Sequence, residues 1–171
     1  LKTYKPFNNE SSAAFFNSEF MFGVQNFDMV IGNPPYVNVE KINKNIKDNI
    51  KDFKTAFQKY DLYVLFYEKG INFLKEAGIL CFITSNKFLS QGYGKKLRYE
   101  LLKHRIINII NFNFDIFENA TVRTCVLIFS KQQQVLDNKI KIINISSKKD
   151  EEKFKKLQYS FLNQNIFKET E

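Results

Sequence analysis

Four residues constrain this chain more than any others: Asn33-Pro34-Pro35-Tyr36, which follow the apolar run Phe27 to Ile31 and Gly32. A short apolar run stopped by glycine and proline reads as a buried strand ended by a hard turn. Pro34 drives Asn33 towards extended backbone, and two fixed φ angles set the path beyond it. The expected product is a rigid ledge that presents a carboxamide, a bare carbonyl and an aromatic ring at fixed offsets. At about one in twenty per position, the tetrapeptide arises by chance in roughly one chain in a thousand of this length.

The remaining pattern places that ledge in an α/β fold. Residues 1 to 26 read as irregular, with aromatic beads at Phe15, Phe16, Phe20 and Phe22. From Ile42, the residues Ile46, Ile50, Phe53 and Phe57 recur at helical spacing, with Lys44, Lys47, Lys51 and Lys54 opposite. A second helix is expected over Tyr60 to Glu76, closed by Gly78. Strands are expected at Ile79 to Thr84, Ile106 to Phe112, Val122 to Ser130 and Lys139 to Ile145, with a helix over Gly92 to His104. Residues 148–171 form a charged tail or linker, with Phe154, Leu157, Phe161 and Leu162 as helix anchors. Strands alternating with helices signal a largely parallel sheet, whose ligands bind beyond the carboxyl ends of the strands.

Composition narrows the function classes. The 171 residues are 44% apolar, enough for one domain with a real core. No apolar run reaches the roughly 20 residues that cross a bilayer. Two cysteines make no disulfide framework, and with one histidine they make no zinc site. The start of the chain lacks a signal-peptide layout and an initiator Met, so the expectation is a cytoplasmic piece of a longer protein. The net charge of +8 suits a phosphate-bearing partner, but only Arg98, Arg105 and Arg123 supply arginine forks.

The ledge suits methylation of an exocyclic amine. An adenine amine is a poor nucleophile because its lone pair is delocalised into the ring. Acceptors for both N–H groups favour pyramidal nitrogen and free the lone pair. The Asn33 side-chain oxygen and the Pro34 carbonyl are two such acceptors. Tyr36 offers a ring on which an extruded base stacks.

These features carry a resemblance. Phe27-Asp28-Met29-Val30-Ile31-Gly32-Asn33-Pro34-Pro35-Tyr36 resembles motif IV of the adenine-specific DNA methyltransferases of restriction–modification systems, especially the nuclease-fused type IIG enzymes. Tyr60 to Phe66 looks like the helix after their active-site loop, and Gly78 to Asn86 like their next strand. Phe117-Glu118-Asn119-Ala120-Thr121-Val122 to Phe129 is similar to motif VIII and the last strand, and Phe15 to Val24 to the segment before motif IV. The resemblance implies a Rossmann-like class I methyltransferase sheet, mostly parallel with an antiparallel last strand. It also implies roles. Asn33 and Pro34 hold the target amine, and Tyr36 and Phe117 flank the flipped adenine. Asn33, Pro35 and Phe66 touch S-adenosylmethionine.

One departure is large. The family's glycine-rich cofactor turn belongs upstream of Asn33 and is missing; the only Gly-x-Gly is Gly92-Tyr93-Gly94. The chain therefore reads as the second half of a methyltransferase domain over residues 1–147, unable to hold the cofactor alone. Its expected partners are duplex DNA, the N-terminal half of the domain and a target-recognition domain. The strand at Asp28 to Ile31 should be left as an open edge, covered by residues 1–26, a second copy or a partner segment. Two alternatives stay open: methylation of RNA guanine or protein glutamine, and an inert nucleic-acid-binding domain. Asn86 and Lys87 are candidates for a DNA cleft, Ser85 or Asn86 equally for a helix cap, His104 for a helix C-terminal charge partner, and Cys81 and Cys125 for inert buried thiols.

Overall fold

The computed structural model describes residues 17–117, 122–147 and 158–167. Six strands form one sheet: β1 (Phe27–Gly32), β2 (Leu74–Ser85), β3 (His104–Phe112), β4 (Thr124–Gln133), β5 (Lys139–Ile145) and β6 (Tyr159–Asn163). Their order is β1-β2-β4-β3-β5-β6. β1 is parallel to β2 and β3 to β5, while β4 runs antiparallel to both β2 and β3, and β6 antiparallel to β5. Four strands thus point one way, and the antiparallel β4 is inserted among them, as the expected fold class requires. Among the described residues β1 hydrogen-bonds β2 alone, and residues 1–16 of the segment expected to cover that edge fall outside the described residues.

Helix α1 (Ser18–Phe22) precedes the sheet, its start capped by the Asn17 side chain accepting from Phe20 N. Helices α2 (Lys44–Ile50), α3 (Tyr63–Phe73) and α4 (Lys95–Leu102) follow. The main core joins α3 and α4 to alternate residues of the strands, including Leu80, Phe82, Leu127 and Phe129. Gly70 makes this packing possible, since a Cβ there would lie 2.6 Å from Leu80 Cδ1. On the reverse face a smaller cluster gathers Phe112, Ile143 and Ile145.

Several expected elements end elsewhere, each for a local reason. The helix from Ile42 to Phe57 stops at Ile50, because the Glu68 carboxylate takes the backbone N–H groups of Lys54 and Thr55 at 3.2 and 2.8 Å. Lys44 to Lys54 therefore do not share one helical stripe. The second helix stops at Phe73, and Gly78 is a strand residue rather than a cap. There a Cβ would approach Lys75 O to 2.9 Å, while Ala77 takes the left-handed turn at φ +64°. Phe161 and Leu162 are strand residues, not helix anchors, because β6 pairs along β5; it lies in the segment expected to be a tail. Phe154 and Leu157 fall outside the described residues. His104 opens β3 with its ring stacked on Phe129 at 5.6 Å, and burial holds its pKa below the usual value, which disfavours a charged cap.

Candidate active site

The ledge leaves the carboxyl end of β1 and lines a cleft with residues of α3. Asn33, Pro34, Pro35 and Phe66 share this open cleft of about 360 Å³ with Val30, Lys69 and Phe73. Pro34 is buried, whereas Asn33 and Pro35 are exposed. Phe66 is 44% exposed, a high value for a ring one turn into a packed helix. Among the described residues none hydrogen-bonds the Asn33 side chain, so its carboxamide is free to accept.

Tyr36 does not line that cleft. Its ring meets the edge of Tyr63 at 6.2 Å and 86°, and that of Phe117 at 6.3 Å and 61°. Its hydroxyl donates to the Ile83 carbonyl at 3.3 Å, and burial pushes the phenol up to about 12, so the proton stays in place near neutrality. Tyr36 and Phe117 thus meet, but at an angle that leaves no parallel slot between the rings. Residues 118–121 of the motif after Phe117 lie outside the described residues.

Beyond Tyr36 the chain is stitched to the start of α3. Leu62 N donates to Val37 O at 2.8 Å, Val39 N to Tyr60 O at 2.9 Å, and Asn38 Nδ2 to Asp61 Oδ1 at 3.2 Å. The ledge is therefore held from both ends, by β1 and by this stitch. Asp61, Tyr63 and Tyr93, which meet around it, were missed as site residues by sequence reasoning; the Tyr60 to Phe66 run was the signal available.

The remaining candidates have structural partners. Ser85 caps the turn at Asn86–Leu89 by accepting from Lys87 N, and the Asn86 carboxamide donates to Asn111 at 2.8 Å. Cys125 is buried and its thiol is pushed up to about 12; Cys81 is half-buried and its thiol is likewise raised by burial. Among the described residues no cluster of His, Cys, Asp or Glu fits a metal ion, and no helix is long and apolar enough to cross a membrane.

The sheet has the fold of solved class I S-adenosylmethionine-dependent methyltransferases. The chain belongs to the Eco57I restriction-modification methylase family, whose model matches residues 2–117. It is 36% identical over 112 residues to the type II restriction enzyme and methyltransferase RM.Eco57I of Escherichia coli, covering 62% of this chain and 11% of that protein. A Listeria monocytogenes protein described as a class I S-adenosylmethionine-dependent methyltransferase superposes with a TM-score of 0.58 at 22% identity, over 72% of this chain and 38% of its own. The type IIL restriction–modification enzyme MmeI, solved in complex with DNA, gives 0.58 at 16% identity, over 78% of this chain and 18% of its own. The chain thus spans about a tenth of the E. coli relative.

The cleft fits one wall of an S-adenosylmethionine site. Pro35, Phe66 and Phe73 offer apolar surface for an adenosine, and Asn33 offers a polar atom at the rim. Among the described residues no acidic side chain lines it to take ribose hydroxyls, and Lys69 is the one charged residue in its lining.

Proposed function

We propose that this chain supplies the amine-binding half of a methyltransferase acting on the N6 amine of adenine in DNA, within a cytoplasmic restriction–modification enzyme. The observation that carries the reading is the ledge itself. Asn33 and Pro34 line the same cleft as Pro35 and Phe66, while Tyr36, two residues on, packs outside it. S-adenosylmethionine bound along Pro35 and Phe66 supplies an electrophilic methyl group. Asn33 Oδ1 and the Pro34 carbonyl accept the two N–H groups of the target amine, which localises its lone pair. Tyr36, with Phe117 swung aside from its edge-on contact, stacks on the extruded adenine.

DNA as the partner is supported by the net charge of +8 and by the DNA-bound neighbour. A missing N-terminal half is supported by the open flank, where Ile31 and Met29 on the edge strand are 69% and 54% exposed. A preceding strand, with its own cofactor turn, would cover that edge and complete the cleft; a second copy of the chain would cover the edge alone. A target-recognition domain is the remaining expected partner.

Two measurements test this. Calorimetric titration of the 171-residue chain with S-adenosylmethionine is expected to show no binding, and micromolar affinity would mean that the chain holds the cofactor by itself. In the full-length protein, labelled methyl groups are expected on adenine N6 of duplex DNA. Label found instead on RNA guanine or protein glutamine would replace the substrate assignment.

A further inference from the structure

We infer that Tyr93 and Asp61 are positioning residues that hold the ring of Tyr36 for an incoming base, an inference that rests on the stacking role proposed for Tyr36. The Gly92-Tyr93-Gly94 turn matched no cofactor motif, and the structure gives it a different use. An added Cβ at Gly94 would lie 2.2 Å from Phe88 O and 2.8 Å from Phe88 Cα. Only glycine lets this turn settle onto the Asn86–Leu89 turn, and that contact sets Tyr93 over the start of α3.

From there a directed chain of hydrogen bonds runs to the ledge. The Tyr93 hydroxyl donates to Asp61 Oδ2 at 3.4 Å and lies 2.7 Å from the hydroxyl of Tyr63. Asp61 accepts from Asn38 through its other oxygen at 3.2 Å. A carboxylate only accepts, so Tyr93 spends its proton on Asp61 and its oxygen receives the proton of Tyr63. The order is Tyr63 to Tyr93 to Asp61, with Asn38 donating from the far side. Burial raises the pKa of both phenols, that of Tyr93 to about 12, so the donors keep their protons near neutrality.

This chain closes a ring of contacts around Tyr36. Asn38 lies two residues beyond it, and Tyr63, fully buried, presents its ring to the face of Tyr36. Ser85 is the other side-chain partner of the Tyr63 hydroxyl, so loss of the Tyr93 oxygen redirects the Tyr63 proton towards Ser85 and breaks the tie between Tyr63 and Asp61. Packing alone would leave the ring free to rock, whereas a polar network fixes direction as well as distance. The cleft lined by Asn33, Pro35 and Phe66 contains none of these four residues. Base capture and cofactor affinity should therefore separate.

The test uses Tyr93→Phe and Asp61→Ala in the full-length protein, with Asp61→Asn, which keeps one of the two acceptor oxygens, as the conservative variant. Tyr93→Phe and Asp61→Ala should each lower kcat about tenfold and reduce the fluorescence of a 2-aminopurine placed at the target adenine, since small misplacements of reacting groups are costly. KM for S-adenosylmethionine should not change, and Asp61→Asn should recover part of the loss. In the 171-residue chain, Tyr93→Phe should shift and sharpen the ring ¹³C signals of Tyr36 while leaving those of Tyr159 alone. Unchanged fluorescence and unchanged Tyr36 signals would overturn the inference. So would a cofactor KM rising together with a fall in melting temperature, which marks a residue that merely holds the fold. A wild-type enzyme that methylates no DNA would overturn the stacking role instead, and the ring signals would then decide the positioning inference alone.

Discussion

The two flanks of the sheet are finished to different degrees. At the β6 flank the chain seals itself with one buried carboxamide. Gln164 Oε1 accepts from Ile106 N at 3.0 Å and Asn138 Nδ2 at 2.7 Å, while its Nε2 donates to the carbonyls of His104 and Leu102 at 2.7 and 3.3 Å. Both donors and both acceptor positions are used, at 0% exposure. Apolar residues stand exposed at both flanks, Phe161 and Ile166 at one and Met29 and Ile31 at the other. What sets the β1 flank apart is the open cleft lined by Asn33, and its outward polar contact is Lys75 bracing Asp28 at 2.9 Å. One flank is tied down by a buried polar lock, and the other carries the cleft.

The largest effect is expected where the open flank works. Asn33→Ala in the full-length protein should lower kcat by about two to three orders of magnitude, the usual loss of a transition-state acceptor. Asn33→Asp, which keeps an acceptor oxygen, should be milder. Labelled methyl transfer to duplex DNA reads both, and an unimpaired Asn33→Ala would remove the site from this flank. Next comes the sealed flank. Gln164→Leu strands the N–H of Ile106 and the carbonyls of His104 and Leu102, and should destabilise the 171-residue chain by on the order of 3 kcal/mol. That corresponds to a melting temperature lower by roughly 10 °C. The same change in the full-length protein should leave KM for S-adenosylmethionine untouched; a change there would show that the flanks are not independent.

The smallest effect depends on pH. His104 lies beneath the sealed flank, stacked on Phe129, with Nε2 buried and no hydrogen-bond partner among the described residues. Burial, helped by Lys131 and Lys103 and opposed by Glu100, holds its folded pKa below the usual value of about 6.5. As pH falls through about 6.5 the unfolded chain takes a proton before the folded one, so acid favours unfolding. The melting temperature should drop between about pH 7 and pH 5, and His104→Phe should flatten that part of the profile. A profile unchanged by the substitution would assign the acid loss to other groups.

The sequence carried the open flank better than the sealed one. The ledge, its strand and Lys139–Ile145 were legible because each is written in a few adjacent residues. The early end of α2 was not, because Glu68 captures its backbone from 13 and 14 residues away. Gly78 looked like a helix cap because a glycine after a helix usually is one, yet it is needed for the close approach of Asp28 O, 50 residues earlier in the chain. β6 hid behind charged residues, since its pairing comes from 16 to 24 residues away and the Gln164 contact with Asn138 from 26 residues away. Asn33, Pro35 and Phe66, expected together from motif order, line one cleft with Pro34, and Tyr36, assigned to a different ligand by the same order, does not line it.

The insertion of β4 also dictates how such a sheet can be assembled. Without β4, no hydrogen bond of the sheet joins β1 and β2 to β3, β5 and β6. Yet β4 is synthesised after β1, β2 and β3, and its partners on β2 lie about 40 to 50 residues behind it, as in Thr84 with Cys125 and Ile79 with Ser130. A nascent chain emerging up to residue 123 therefore holds two unconnected pieces, one of them the strand that bears the ledge. Pairings of such long range close slowly. The sheet becomes one object when β4 slides between its two halves, so slowing translation just after residue 133, rather than before it, should favour correct folding.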